Sequence, residues 1–130
     1  MKLELTDKEA LEVFHSALCN GLGWLEGYGL KLEYNPVQYQ EVKEKLKQDS
    51  PNEIICYEDI LMELLKQDGE LILIDLEGDE EPAAIKLHDI YERIGTVDPE
   101  VLIDEMNGNG DAITSDVILQ IIFFGEVMYG

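Results

Sequence analysis

Between Gly69 and Leu87 the hydrophobic pattern changes period, and that change limits what the chain can fold into. Leu71-Ile72-Leu73-Ile74-Asp75-Leu76 and Ala84-Ile85-Lys86-Leu87 flank the acidic stretch Glu77-Gly78-Asp79-Glu80-Glu81-Pro82. Strand-like runs on either side of a turn-rich segment predict a β-hairpin, here with a charged tip. On both sides of this block the apolar residues recur at helical spacing. A hairpin enclosed by helices requires that helices pack on a small sheet.

The helices are marked by start and stop signals. Thr6-Asp7-Lys8-Glu9 has the form of a capping box, in which the Thr6 hydroxyl accepts from the Glu9 amide and the Glu9 side chain reaches back. Leu11, Phe14, Ala17 and Leu18 follow at helical spacing, and Gly21, Leu25 and Tyr28 continue the stripe. The first helix is therefore expected to run toward Gly27, with Gly29 as a left-handed cap and the small Gly21 permitting close packing. Leu30, Leu32 and Tyr34 alternate with Lys31 and Glu33 as in a half-buried strand. Asn35-Pro36 opens a helix to about Lys47, and Tyr57, Ile60, Leu61, Leu64 and Leu65 mark another that closes at Asp68-Gly69. After the hairpin, short helices are expected from Asp89 to Ile94 and from Asp98-Pro99 to Asn107-Gly108. Thr114 or Ser115 is expected to cap a last helix carrying Val117, Ile118, Ile121, Ile122 and Phe124. The order predicts one α+β domain over residues 1–130, with helices packed on an antiparallel sheet of about three strands.

The chain has 130 residues, 45% of them hydrophobic, enough for a core without disulfide or metal staples. Its net charge of -20 is unevenly placed. Residues 1–50 hold nine acids against six lysines, a net of -3; residues 51–130 hold twenty against Lys66, Lys86 and Arg93, a net of -17. Direct binding to nucleic acid or to an anionic membrane rests on clustered lysine and arginine, so this distribution argues against both and toward a basic protein partner. No apolar run approaches the length of a membrane span, and the N-terminus lacks the pattern of a secretory signal, so a soluble cytoplasmic protein is expected. Cys19 and Cys56 stand outside any CxxC spacing and are expected as reduced, partly buried thiols.

Several motifs invite a chemical reading. NGNGDAITSDVI, from Asn107 to Ile118, places Asn107, Asn109 and Asp111 at positions 1, 3 and 5 of a calcium loop. Ala112 then stands where a glycine must turn the chain, and Ile118 where a bidentate glutamate must close the cage, so the stretch reads as a turn before a helix. The glycines at 21, 23, 27 and 29 match no phosphate-binding pattern. His15 and Cys19 share a helical face, and with Cys56 and His88 they contain the residue types of a zinc set or of a cysteine nucleophile and its base. Carboxylate pairs such as Glu58-Asp59, Asp104-Glu105 and Glu80-Glu81 are expected on solvated faces, because chance pairing is frequent in a chain with 29 acids.

ALCNGLGWLEGYGLKLEY, SPNEIICYEDILMELLKQDGELILID and the ending DAITSDVILQIIFFGEVMYG together resemble small proteins of bacteriophages and of mobile elements in gut bacteria, which have no assigned activity. The resemblance covers nearly the whole chain and implies a bacterial or phage setting without transferring any catalytic residue. The leading functional expectation is a non-enzymatic binding protein that needs no cofactor and docks on a basic protein surface. Glu58, Asp59, Glu63, Asp75, Glu77, Asp79, Glu80 and Glu81 are its candidate contact residues, and in the sharpest form they imitate nucleic-acid phosphates. One alternative is an assembly component that associates through an apolar patch around Trp24, Tyr28 or Phe123 to Tyr129. The other is a small metal protein or enzyme built on His15, Cys19, Cys56 and His88.

Overall fold

The computed structural model describes residues 4–78 and 80–130; Asp79, expected in the charged hairpin tip, lies outside them. The described chain is α1 (Asp7–Gly27), β1 (Leu30–Glu33), α2 (Pro36–Asp49), α3 (Tyr57–Lys66), β2 (Leu71–Asp75), β3 (Ala83–Ile85), α4 (Leu87–Ile94), α5 (Pro99–Met106) and α6 (Ala112–Phe124). The three strands form one antiparallel sheet in the order β1-β2-β3. This is the expected α+β arrangement.

The capping box at Thr6 forms as the local sequence dictates. Glu9 N donates to Thr6 Oγ1 at 3.1 Å, and Thr6 N donates to Glu9 Oε1 at 3.0 Å. The helix then runs 21 residues to Gly27, and Gly29 turns the chain into β1 at φ +86°, a conformation that a Cβ disfavours. α1 packs against α3, α4, α5 and α6, most extensively against α6. That approach depends on Gly21, where an added Cβ would lie 2.9 Å from both the carbonyl carbon and the Cβ of Ser115.

The core is assembled from all layers. Phe14, Leu18 and Leu25 of α1 meet Leu61, Leu64 and Leu65 of α3, Leu71, Leu73 and Ile85 of the sheet, and Ile90, Leu102 and Ile118 from the later helices. Full burial of each such side chain stabilises the fold by roughly 1.5–3 kcal/mol relative to exposure. On β2, Leu71 and Leu73 face this core, while Ile72 and Ile74 lie half-buried on the other side. The register pairs Leu30 with Asp75 and Glu33 with Ile72 on one edge, and Leu71 with Ile85 on the other.

Three boundaries differ from the sequence reading. β3 ends at Ile85, and Leu87 begins α4 instead of extending the strand. The cause is the Asp89 carboxylate, which accepts the Lys86 amide at 2.8 Å and turns the chain into a helix. α6 begins earlier than expected, because Asp111 is its cap: Asp111 Oδ1 accepts from Ile113 N at 3.0 Å and from Thr114 N at 2.9 Å. Ser115 and Asp116 therefore lie inside the helix, where both are buried. α2 continues two residues beyond the expected Lys47.

Candidate functional site

The seven candidate carboxylates among the described residues divide between α3 and the hairpin. Glu58, Asp59 and Glu63 stand on α3, and Asp75 ends β2 at the root of the hairpin tip that carries Glu77, Glu80 and Glu81. Asp75 has an internal task. Its Oδ1 accepts from Glu77 N at 2.9 Å and its Oδ2 from Glu80 N at 3.2 Å, so one carboxylate holds both limbs of the loop. The side chains of Glu77, Glu80 and Glu81 are left exposed, and no described lysine or arginine lies within ion-pairing distance of them. Four of the described cations pair elsewhere: Lys8 with Glu12, Lys31 with Glu33, Lys86 with Asp68 and Arg93 with Asp89.

On α3, Asp59 is also engaged. Its Oδ1 lies 2.9 Å from His15 Nε2, and since an ionised carboxylate can only accept, that ring nitrogen carries the proton. Asp59 Oδ2 accepts the Cys56 amide at 3.4 Å. The His15–Asp59 bridge lies in the wall of a groove of about 470 Å³ between α1, α2 and α3, with Leu11, Leu46 and Met62 as its apolar lining. Glu63 accepts from Gln67 Nε2 at 3.2 Å. Tyr34, Tyr39 and Tyr57 form a ring cluster, with Tyr34 and Tyr39 stacked at ring centres 4.8 Å apart and Tyr57 tilted against both. Burial, then a hydrogen bond with Tyr34, pushes the Tyr57 hydroxyl well above the ordinary tyrosine value.

The four residues weighed as a zinc or nucleophile set are not assembled. His15 and the Cys56 amide both meet the Asp59 carboxylate at the start of α3, and Cys19 stands one turn after His15 on α1, but His88 stands on α4, 3.4 Å from Asp89. Among the described residues no group of three histidine, cysteine or acidic side chains is placed to share a metal. Both cysteines are free, and both are exposed where partial burial was expected. The Cys19 thiol is pushed up, first by desolvation and then by the charges of Glu58 and Asp59, which works against the thiolate that nucleophilic catalysis needs.

Sequence reasoning missed a buried polar centre between α1, α5 and α6. Glu105, expected on a solvated face beside Asp104, is only 4% exposed and accepts from Ser16 Oγ at 3.0 Å and Ser115 Oγ at 2.7 Å. Asp116 accepts from Tyr28 Oη at 2.7 Å and from Gln120 Nε2 at 2.9 Å. Gln120 Oε1 in turn accepts the Met128 and Tyr129 amides, each at 2.8 Å, and so fastens the C-terminal segment to α6. Spacing offers one clue to this centre, since Asp116 and Gln120 lie four apart on one helix face. The apolar patch expected from Phe123 to Tyr129 is thereby divided. Phe123 is core and Tyr129 stacks on Tyr28 at 5.5 Å, while Trp24, Val127 and Met128 remain exposed.

No helix among the described residues is long and apolar enough to cross a membrane. No family model, curated protein or solved structure matches the chain.

Proposed function

We propose that the protein works by binding, not by catalysis, and that it presents the β2–β3 tip to a basic protein surface. The observation that carries this reading is the tip itself: Asp75 holds the loop in shape through two amides, while Glu77, Glu80 and Glu81 project uncompensated charge. A shaped loop loses less conformational freedom on docking than a floppy one. The net of -17 over residues 51–130 adds long-range attraction, which speeds encounter and makes it sensitive to salt. Glu58, Asp59 and Glu63 would form a second contact in a partner large enough to reach α3. The resemblance to phage and mobile-element proteins supports a bacterial partner, and a nucleic-acid-binding protein whose groove takes carboxylates in place of phosphates is the sharpest form.

The test is capture of lysate proteins on the immobilised chain, elution with rising salt and identification of what is released. The reading is supported by one basic protein that leaves at moderate salt and is lost when Glu77, Glu80 and Glu81 become glutamine. Competition for that protein by an oligonucleotide would support the mimic form. Equal retention of every basic protein by wild type and variant would sink the reading, because the charge would then serve solubility alone.

The exposed Trp24, Val127 and Met128 favour one second reading, an assembly component that self-associates through this patch. Light scattering across a concentration series separates the two, since only the assembly reading requires the mass to grow.

A further inference from the structure

Cys19 and Cys56 are 37 positions apart in sequence but lie beside the same bridge. His15 and Cys19 are separated by four residues on α1, so they share its face toward α3. Cys56 caps α3, and its amide donates to the same Asp59 carboxylate that His15 contacts at 2.9 Å. Both cysteines are exposed, so a soluble reagent reaches them. Cys56 ends an irregular segment, residues 50–56, that belongs to no helix or strand, and Ile54 within it is 92% exposed. A disulfide needs Cα atoms about 4.4–6.8 Å apart, and this irregular backbone before Cys56 is the part that would adjust to close one.

We infer that Cys19 and Cys56 are a thiol pair that closes to a disulfide on exposure to a small disulfide oxidant such as oxidised glutathione, tying α1 to the start of α3. One cysteine sulfur, as thiolate, attacks a glutathione sulfur and expels glutathione thiolate. The second cysteine sulfur then displaces the bound glutathione. Two protein thiols are oxidised to one disulfide, and one glutathione disulfide is reduced to two thiols, which take up the two hydrogens. Desolvation first, and then the charges of Glu58 and Asp59, push the Cys19 thiol up, so closure is slow at neutral pH and accelerates as pH rises. The closed form clamps one end of the groove that His15 and Asp59 line, and it shortens the free chain in the unfolded state, which raises Tm.

The experiment treats the folded full chain with oxidised glutathione at about pH 7 and about pH 9, followed by intact mass and non-reducing peptide mapping. The expected result is a chain lighter by two hydrogens with one peptide joining Cys19 to Cys56, formed faster at the higher pH and melting at a higher Tm. Cys19→Ser and Cys56→Ser should each retain one glutathione instead. Two glutathiones on one wild-type chain, a disulfide-linked dimer or an unchanged mass would overturn the inference.

Discussion

Tyr28 and Asp116, 88 positions apart, share a 2.7 Å hydrogen bond that joins the end of α1 to the first turns of α6. Asp116 is 7% exposed and has one other described side-chain donor, Gln120 Nε2. Tyr28→Phe removes the hydroxyl and leaves the carboxylate with a single partner. The expected cost is about 1.5–3 kcal/mol, the range for a hydrogen bond to a charged group. Urea unfolding of the two proteins checks it, with a change in midpoint and little change in slope.

Gly21 and Gly23 make a matched pair on one helix. Gly23→Ala meets no atom within 4 Å and should stabilise by about 0.5–1 kcal/mol through helix propensity. Gly21→Ala has the same propensity gain, but its Cβ meets Ser115 main chain that has no room to yield. A net loss of about 1–3 kcal/mol is expected from that overpacking. Opposite signs in thermal unfolding would confirm that α1 and α6 touch at Gly21; equal signs would contradict it.

Alkaline pH should weaken the fold through its tyrosines. Burial pushes the Tyr57, Tyr39 and Tyr91 hydroxyls up, and the bond to Asp116 does so for Tyr28, all from an ordinary value of 10.0. The folded chain then holds these protons more tightly than the unfolded chain. Their contribution is complete below about pH 10 and is lost as pH rises through the raised folded values. Denaturant midpoints measured from about pH 8 upward should fall above pH 10, and Tyr57→Phe should flatten that fall.

Asp75 governs the hairpin tip from inside. Asp75→Ala removes the acceptor for the Glu77 and Glu80 amides, with an expected cost of about 1 kcal/mol because both amides are near solvent. Hydrogen exchange at those two amides should accelerate while the core amides of α1 stay protected. Unchanged exchange at both positions would mean that the tip is shaped by something other than Asp75.

Local chemistry explains which features could be read from the chain. The Thr6–Glu9 capping box, the Asn35-Pro36 start and the Asp98-Pro99 start each involve partners within three residues, so composition alone specifies them. The hairpin was legible because its strands bracket a turn-rich acidic segment. The competing signals were the ones misread. Leu87 fits either a strand or a helix start, and the Asp89 side chain decides between them. Asp111, Thr114 and Ser115 all have capping side chains, and their order in the helix depends on what Ser115 must pack against.

Sequence alone determined the α+β class, the long first helix, the place of the hairpin and the uneven charge, because periodicity, caps and composition act over a few residues. Tertiary structure decided which acids are free. Asp75 and Asp59 are bound to groups on the chain, Glu105 and Asp116 are buried among hydroxyls and an amide, and Glu77, Glu80 and Glu81 face solvent. It also set His15 against Asp59 at the start of α3 while leaving His88 on α4. The physical reason is that a carboxylate's role depends on the donors and solvent around it, and those arrive from distant positions only when the helices pack.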